Sequence, residues 1–284
     1  MVRVVQRLLV LSLLSVAASA CASWGDDLSG DSADGDDPVR GPDASIDPGP
    51  DANPLAPARL EDTGLYADIE TKTISALVTE YAPQFELWSD GAVKRRWFQL
   101  PPNSTIDTSN MDFWVFPEGT RLWKQFVVDG KLVETRFYWK QGPAAGDWRP
   151  FTYAWNADET EAVSIQNGRD NVQGTGHDIP SVFLCNGCHG PQPDIVLGLG
   201  AIQSDGSGAG FGLDELIAAD LLSDPPVGAE PFFVLPGNGV DQAALGYMHA
   251  NCGGCHWSGS TLQDIVPIEL RLDVGNMATV EDTA

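Results

Sequence analysis

Two five-residue segments carry the residue types with the clearest chemistry in this chain. They read Cys185-Asn186-Gly187-Cys188-His189 and Cys252-Gly253-Gly254-Cys255-His256. Two thiols with two residues between them match the spacing of the vinyl groups of a porphyrin, and the adjacent histidine then faces the iron. The segments therefore predict two covalently attached c-type haems. The predicted attachment residues are Cys185, Cys188, Cys252 and Cys255, and the predicted proximal iron ligands are His189 and His256.

Two other chemistries use paired cysteines. A four-thiolate zinc site usually has about 15–20 residues between its pairs, whereas 63 residues lie between Cys188 and Cys252, and a histidine directly after each pair has no role there. A thioredoxin-like redox motif needs a βαβ pattern around it, and the sequence shows none. Haem attachment is therefore the favoured interpretation.

The second axial ligand of each iron is less clear from the sequence. It is usually Met or His. Met277 lies about twenty residues after the second segment and is the candidate distal ligand for that haem. Met248 and His249 precede the second segment and are candidates for the first haem, whereas His177 is better interpreted as a surface or capping residue. No methionine lies between His189 and Tyr247, so the first iron takes its ligand from elsewhere or stays open.

Several further strings resemble a known family. They are Glu86-Leu87-Trp88-Ser89-Asp90-Gly91-Ala92 with Lys94 and Arg95, Phe116-Pro117-Glu118-Gly119-Thr120, Thr152-Tyr153-Ala154-Trp155-Asn156, Ile179-Pro180-Ser181 and Tyr247-Met248-His249-Ala250-Asn251-Cys252. From Tyr66 to His256 the chain resembles proteobacterial exported proteins that combine a β-rich N-terminal region with a C-terminal diheme c-type cytochrome region. The resemblance implies haem attachment and electron transfer, and it implies no substrate. Only 28 residues follow His256, and we expect a longer chain to complete a second haem domain.

The N-terminus predicts export. Residues 1–20 have a basic start, an apolar run and a small-residue cleavage site, which is typical of a signal peptide. Ala18-Ser19-Ala20-Cys21 also reads as a lipobox, in which Cys21 is acylated after cleavage. The alternative is ordinary cleavage that leaves Cys21 as a free thiol. The prediction is a protein of the periplasm or outer membrane, held to the membrane only by an N-terminal lipid.

Composition limits the partners. Residues 21–57 are rich in Asp, Gly, Ser and Pro and predict a disordered acidic linker. Residues 58–284 hold 31 acidic and 13 basic residues, a net charge of −18. We expect no nucleic-acid partner, because phosphate backbones are bound by clustered Lys and Arg. A redox partner protein with a basic docking surface is expected instead.

The pattern of the elements predicts an α+β fold in two parts. Residues 58–175 predict an antiparallel, sandwich-like β-rich domain, in which Asp129-Gly130 joins two aromatic and β-branched runs as a hairpin. Most of the nine Trp lie there, and core packing explains them better than a sugar-binding or electron-relay surface. Residues 176–284 predict a small, mainly α, cytochrome c-like diheme region, with helices expected at Phe211 to Leu222 and Asp241 to Asn251.

Three functions are compatible with these features. The favoured one is an electron carrier with two six-coordinate haems. The second is a diheme peroxidase-like enzyme, which keeps one iron open for peroxide. In the third, the β-rich part binds a substrate or partner and the haem part is its electron outlet.

Overall fold

The computed structural model describes residues 57–206, 210–260 and 262–283. The predicted signal peptide, Cys21 and the acidic linker up to residue 56 lie outside this range. The described residues belong to one compact unit. Among them, no helix has both the length and the apolar character needed to cross a membrane.

A six-stranded antiparallel sheet dominates the first half. The described residues form eight strands in all, six of them in this sheet. They are β1 (Tyr66–Asp68), β2 (Thr73–Ile74), β3 (Thr79–Tyr81), β4 (Val93–Gln99), β5 (Arg121–Val128), β6 (Lys131–Lys140), β7 (Trp148–Trp155) and β8 (Ala162–Ile165). Strands β3 to β8 pair in sequence order, and β1 and β2 form a separate ribbon. The predicted hairpin is confirmed: β5 and β6 meet at Asp129 and Gly130, which both have positive φ, as a tight hairpin turn requires.

One face of the sheet is an aromatic layer. Trp97, Trp123, Phe137 and Phe151 lie opposite one another across β4 to β7, and all are almost completely buried. The residues that cover this layer include Leu60, Leu65, Tyr66 and Ile69. Core packing therefore accounts for Trp97 and Trp123, as predicted, whereas Trp88 is largely exposed. The β-rich antiparallel character is confirmed; the described residues that cover this layer include the β1–β2 ribbon and a short 3-10 turn.

The second half consists of short helices in long loops. They are α1 (Val182–His189), α2 (Ala201–Ser204), α3 (Leu213–Ala218) and α4 (Gly239–Asn251). Helix α4 confirms the predicted second helix, and Asn238 caps it by accepting from the N–H of Val240. The predicted helix from Phe211 to Leu222 is too long, because Asp220 adopts a positive φ just after α3 ends.

The two halves pack directly against each other. Leu213 and Leu216 of α3 share one core cluster with Phe98 of β4 and Trp148 of β7. Both outer strands of the sheet are also covered: the N–H of Ser164 in β8 donates to the carbonyl of Ala58, and the N–H of Phe211 donates to the carbonyl of Glu80 in β3. The second face of the sheet packs against residues that follow the first cysteine segment, including Ile195, Val196 and Leu199.

Candidate haem sites

The first segment lies on α1, and the tautomer of its histidine, His189, is fixed by a hydrogen bond. The Nδ1 atom of His189 is 2.6 Å from the carbonyl oxygen of Ile195. Because a carbonyl oxygen can only accept, Nδ1 carries the proton and the lone pair of Nε2 is free. Burial lowers the pKa of His189 to about 4, so the ring is neutral at neutral pH. This is the form in which a histidine binds a metal through Nε2.

A cavity adjoins this histidine. It has about 600 Å³ of empty space, part of it open to solvent. His189 and the loop 195–197 form one wall, and Arg96, Lys124, Arg136 and Tyr138 of the sheet form another. The rings of Tyr138 and His189 stack with their centroids 4.7 Å apart. The sheet therefore forms part of the surroundings of the first segment.

The loop after α1 is held in place by a buried ion pair. Asp194 accepts from Lys140 Nζ at 2.7 Å, from Trp148 Nε1 at 3.0 Å and from the N–H of Phe116 at 2.7 Å. Both charged side chains are almost wholly inaccessible to solvent. Because Ile195 directly follows Asp194, this pair also positions the carbonyl that orients His189.

The second segment continues the helical path of α4. The N–H groups of Cys255 and His256 both donate to the carbonyl of Cys252. The Nδ1 atom of His256 is buried and has no hydrogen-bond partner among the described residues, unlike that of His189. Gln192 connects the two segments: its amide donates to the carbonyl of Gly254. The loop after α1 and the second segment therefore touch.

A second cavity lies beside Gly254 and has about 490 Å³ of empty space, including some that is open to solvent. His249, Met111 and Arg271 also line it. The Nδ1 atom of His249 accepts from the N–H of Leu272 at 3.1 Å, so the proton of the neutral ring is on Nε2. Burial lowers the pKa of His249 to about 3. In this arrangement neither ring nitrogen of His249 offers a lone pair to an iron.

The other candidate distal ligands lie in or beside the core. Met248 and Met277 both pack against a cluster that contains Leu245 and Leu272, and His177 bonds to Glu134 at 2.9 Å. Met111, which sequence reasoning did not select, is the methionine that lines a cavity next to a cysteine segment. The distal ligands stay a prediction.

Comparisons with family models, with curated proteins and with solved structures give no match. The family resemblance therefore stays an expectation.

The first segment fits a c-type haem. Cys185 and Cys188 are three residues apart and so lie on one side of α1, a neutral histidine follows them, and a cavity adjoins it. The second segment fits in part, since His256 lacks a partner for Nδ1. Within the described ranges, no three His, Cys, Asp or Glu side chains are grouped so that they could hold a metal ion.

Proposed function

We propose that this chain is an exported electron-transfer protein that attaches two haems covalently. Cys185 and Cys188 would hold the first haem and Cys252 and Cys255 the second, with His189 and His256 as proximal ligands. Each bound haem supplies one-electron chemistry at its iron. The observation that carries the proposal is the state of His189: a neutral ring whose Nδ1–H is held by Ile195 and whose Nε2 is free, beside a cavity.

The protein contributes orientation and electrostatics to this function. The carbonyl of Ile195 fixes the tautomer of His189 and raises its basicity as a ligand. Asp194 and Lys140 fix the loop that presents this carbonyl. The net charge of −18 on residues 58–284 favours a partner with a basic docking surface, because complementary charge steers association.

Haem stoichiometry tests the proposal. The full chain should be matured in a host with c-type haem-attachment machinery, and the purified protein should retain two haems through denaturation and acid–acetone extraction. The double variant C185A/C188A should retain one haem, and so should its matched partner C252A/C255A. Extractable haem, or bound zinc without haem, would contradict the proposal.

A diheme peroxidase-like activity is the second candidate. One observation favours it: neither a methionine nor a second histidine is among the described residues that line the cavity beside His189. An open first iron should give a high-spin component in the ferric spectrum and should bind cyanide at one haem of two. Wholly low-spin spectra together with no peroxide turnover would remove this candidate.

A further inference from the structure

Three cations lie side by side on the face of the sheet that borders the first cavity. Arg96 of β4 is paired in register with Lys124 of β5, and Lys124 is paired with Arg136 of β6. All three line the cavity that also contains His189. We call them the cationic row. Like charges directly opposite each other on neighbouring strands destabilise a sheet, so the arrangement needs a compensating anion.

The described carboxylates compensate the row only in part. Glu134 forms a two-point ion pair with Arg136, at 2.5 and 3.1 Å, but it is shared with His177. Glu86 approaches Arg96 only to 3.8 Å, and its own side chain is mostly exposed, so the pair is weak.

The other two cations of the row, Arg96 and Lys124, are incompletely compensated by the described residues. Arg96 is 2% exposed, and its Nη2 atom has no hydrogen-bond partner among the described residues. No described carboxylate lies within ion-pair distance of Lys124. Burial, together with the neighbouring Arg136 and Arg96, lowers the pKa of Lys124 well below its ordinary value. Leaving a buried donor unsatisfied costs about 1–3 kcal/mol, and more for a charged group.

The composition of the chain makes this concentration of charge more significant. Only 13 basic residues occur in residues 58–284, against 31 acidic ones. Five of the 13 project from this one face, since they alternate along β4, β5 and β6. They are Lys94, Arg96, Lys124, Arg136 and Lys140. Three of these five line the cavity, so an acidic protein places three of its few cations at one cavity wall, which suits an anionic ligand there.

We propose that the cationic row binds the two propionate carboxylates of the haem attached at Cys185 and Cys188. This inference rests on the proposed function. A haem presents two carboxylates on one edge, and planar guanidinium groups bind carboxylates in a two-point geometry. The row lines the same cavity as His189, so a single haem can contact the row and the histidine at the same time. The β-rich half is then part of the first haem site, and it tunes that haem through its positive charges.

The test uses haem-loaded full-length protein and charge-removing variants. Arg96→Gln and Lys124→Gln should each lower the reduction potential of one haem of the two, because a nearby positive charge favours the reduced iron. Arg95→Gln is the matched control: Arg95 is the next residue on β4, lies on the other face, and is paired with Glu80 at the surface at 2.8 and 2.7 Å. Its removal should shift neither potential.

A second measurement separates direct contact from a distant field effect. Haem carrying ¹³C at the propionate carboxyl groups should give label-sensitive carboxylate bands in the reduced-minus-oxidised infrared spectrum. These bands should move in Arg96→Gln and stay in place in Arg95→Gln. Lys124→Arg keeps the charge and should preserve the wild-type potentials, which guards against misfolded variants.

Several results would overturn the inference without touching the haem proposal. Two retained haems with unchanged potentials and unmoved carboxylate bands in Arg96→Gln would show that the row does not bind propionate. Binding of succinate to the wild-type holoprotein, lost in Arg96→Gln, would show instead that the row is open to free dicarboxylates. The haem proposal fails separately, when wild-type protein carries no covalent haem.

Discussion

Replacing Lys140 with methionine should strongly destabilise the fold, because it breaks a buried ion pair. The ammonium group donates both to Asp194 and to the carbonyl of Phe116, each at 2.7 Å. Lys140→Met removes both bonds and leaves the Asp194 charge buried with only two N–H donors. Breaking such a pair by removing one partner costs about 3–5 kcal/mol. For a domain of this size each kcal/mol lowers Tm by about 2–4 °C.

Urea unfolding followed by tryptophan fluorescence measures this loss. Lys131→Met is the matched control, because Lys131 begins the same strand but is exposed, and a surface substitution of this kind changes stability by at most about 0.5 kcal/mol. The double variant K140M/D194N removes both charges, so it should be less destabilised than the sum of the single variants by about 0.5–3 kcal/mol. A loss below about 1 kcal/mol for Lys140→Met, or additive effects in the double variant, would refute the reasoning.

Three further predictions concern the anchor, the distal ligand and acid stability. Cys21→Ser should release the protein to the soluble fraction; a wild type that is already soluble and unlipidated would contradict the lipobox. Met277→Ala should abolish the weak methionine-to-iron absorption band, and loss of the band in Met111→Ala instead would move the ligand to the cavity-lining methionine. Burial raises the pKa of Glu134, but Arg136 and His177 lower it more, so the net pKa is below normal. The stabilisation from Glu134 is present above about pH 4.3 and is lost as pH falls through the lowered pKa, and urea titrations should show this component missing in Glu134→Gln.

Local signals were enough to predict some elements. Asp129-Gly130 specifies its own turn, since both residues tolerate positive φ, and the neighbouring runs pair as that turn dictates. Helix α4 was predicted at Asp241 to Asn251, directly before the second cysteine pair. The predicted helix around Leu213 was too long because the apolar spacing continues to Leu222, whereas the backbone at Asp220 turns out of the helix.

The surroundings of the cysteine segments could not be predicted from local patterns. The cationic row becomes visible only once the register of β4, β5 and β6 is known, because Arg96 and Arg136 are forty residues apart in the chain. The bond from His189 to Ile195 depends on a loop that Asp194 anchors to two distant strands. Alternating charges in β6, Glu134 and then Arg136, were a signal that one face of the strand was not apolar.

The covering of both sheet edges has a consequence for how the chain folds. Neighbouring strands in sequence are neighbours in the sheet, and β5 to β8 are joined by connections of two to seven residues, so these strands can pair at an early stage. The edge at β3, however, is covered by Phe211, which is synthesised well after the last strand. Until that segment arrives, β3 presents unpaired backbone groups, which are a template for aggregation. A fragment that ends near residue 175 keeps this edge open, so we expect it to self-associate where the longer chain does not.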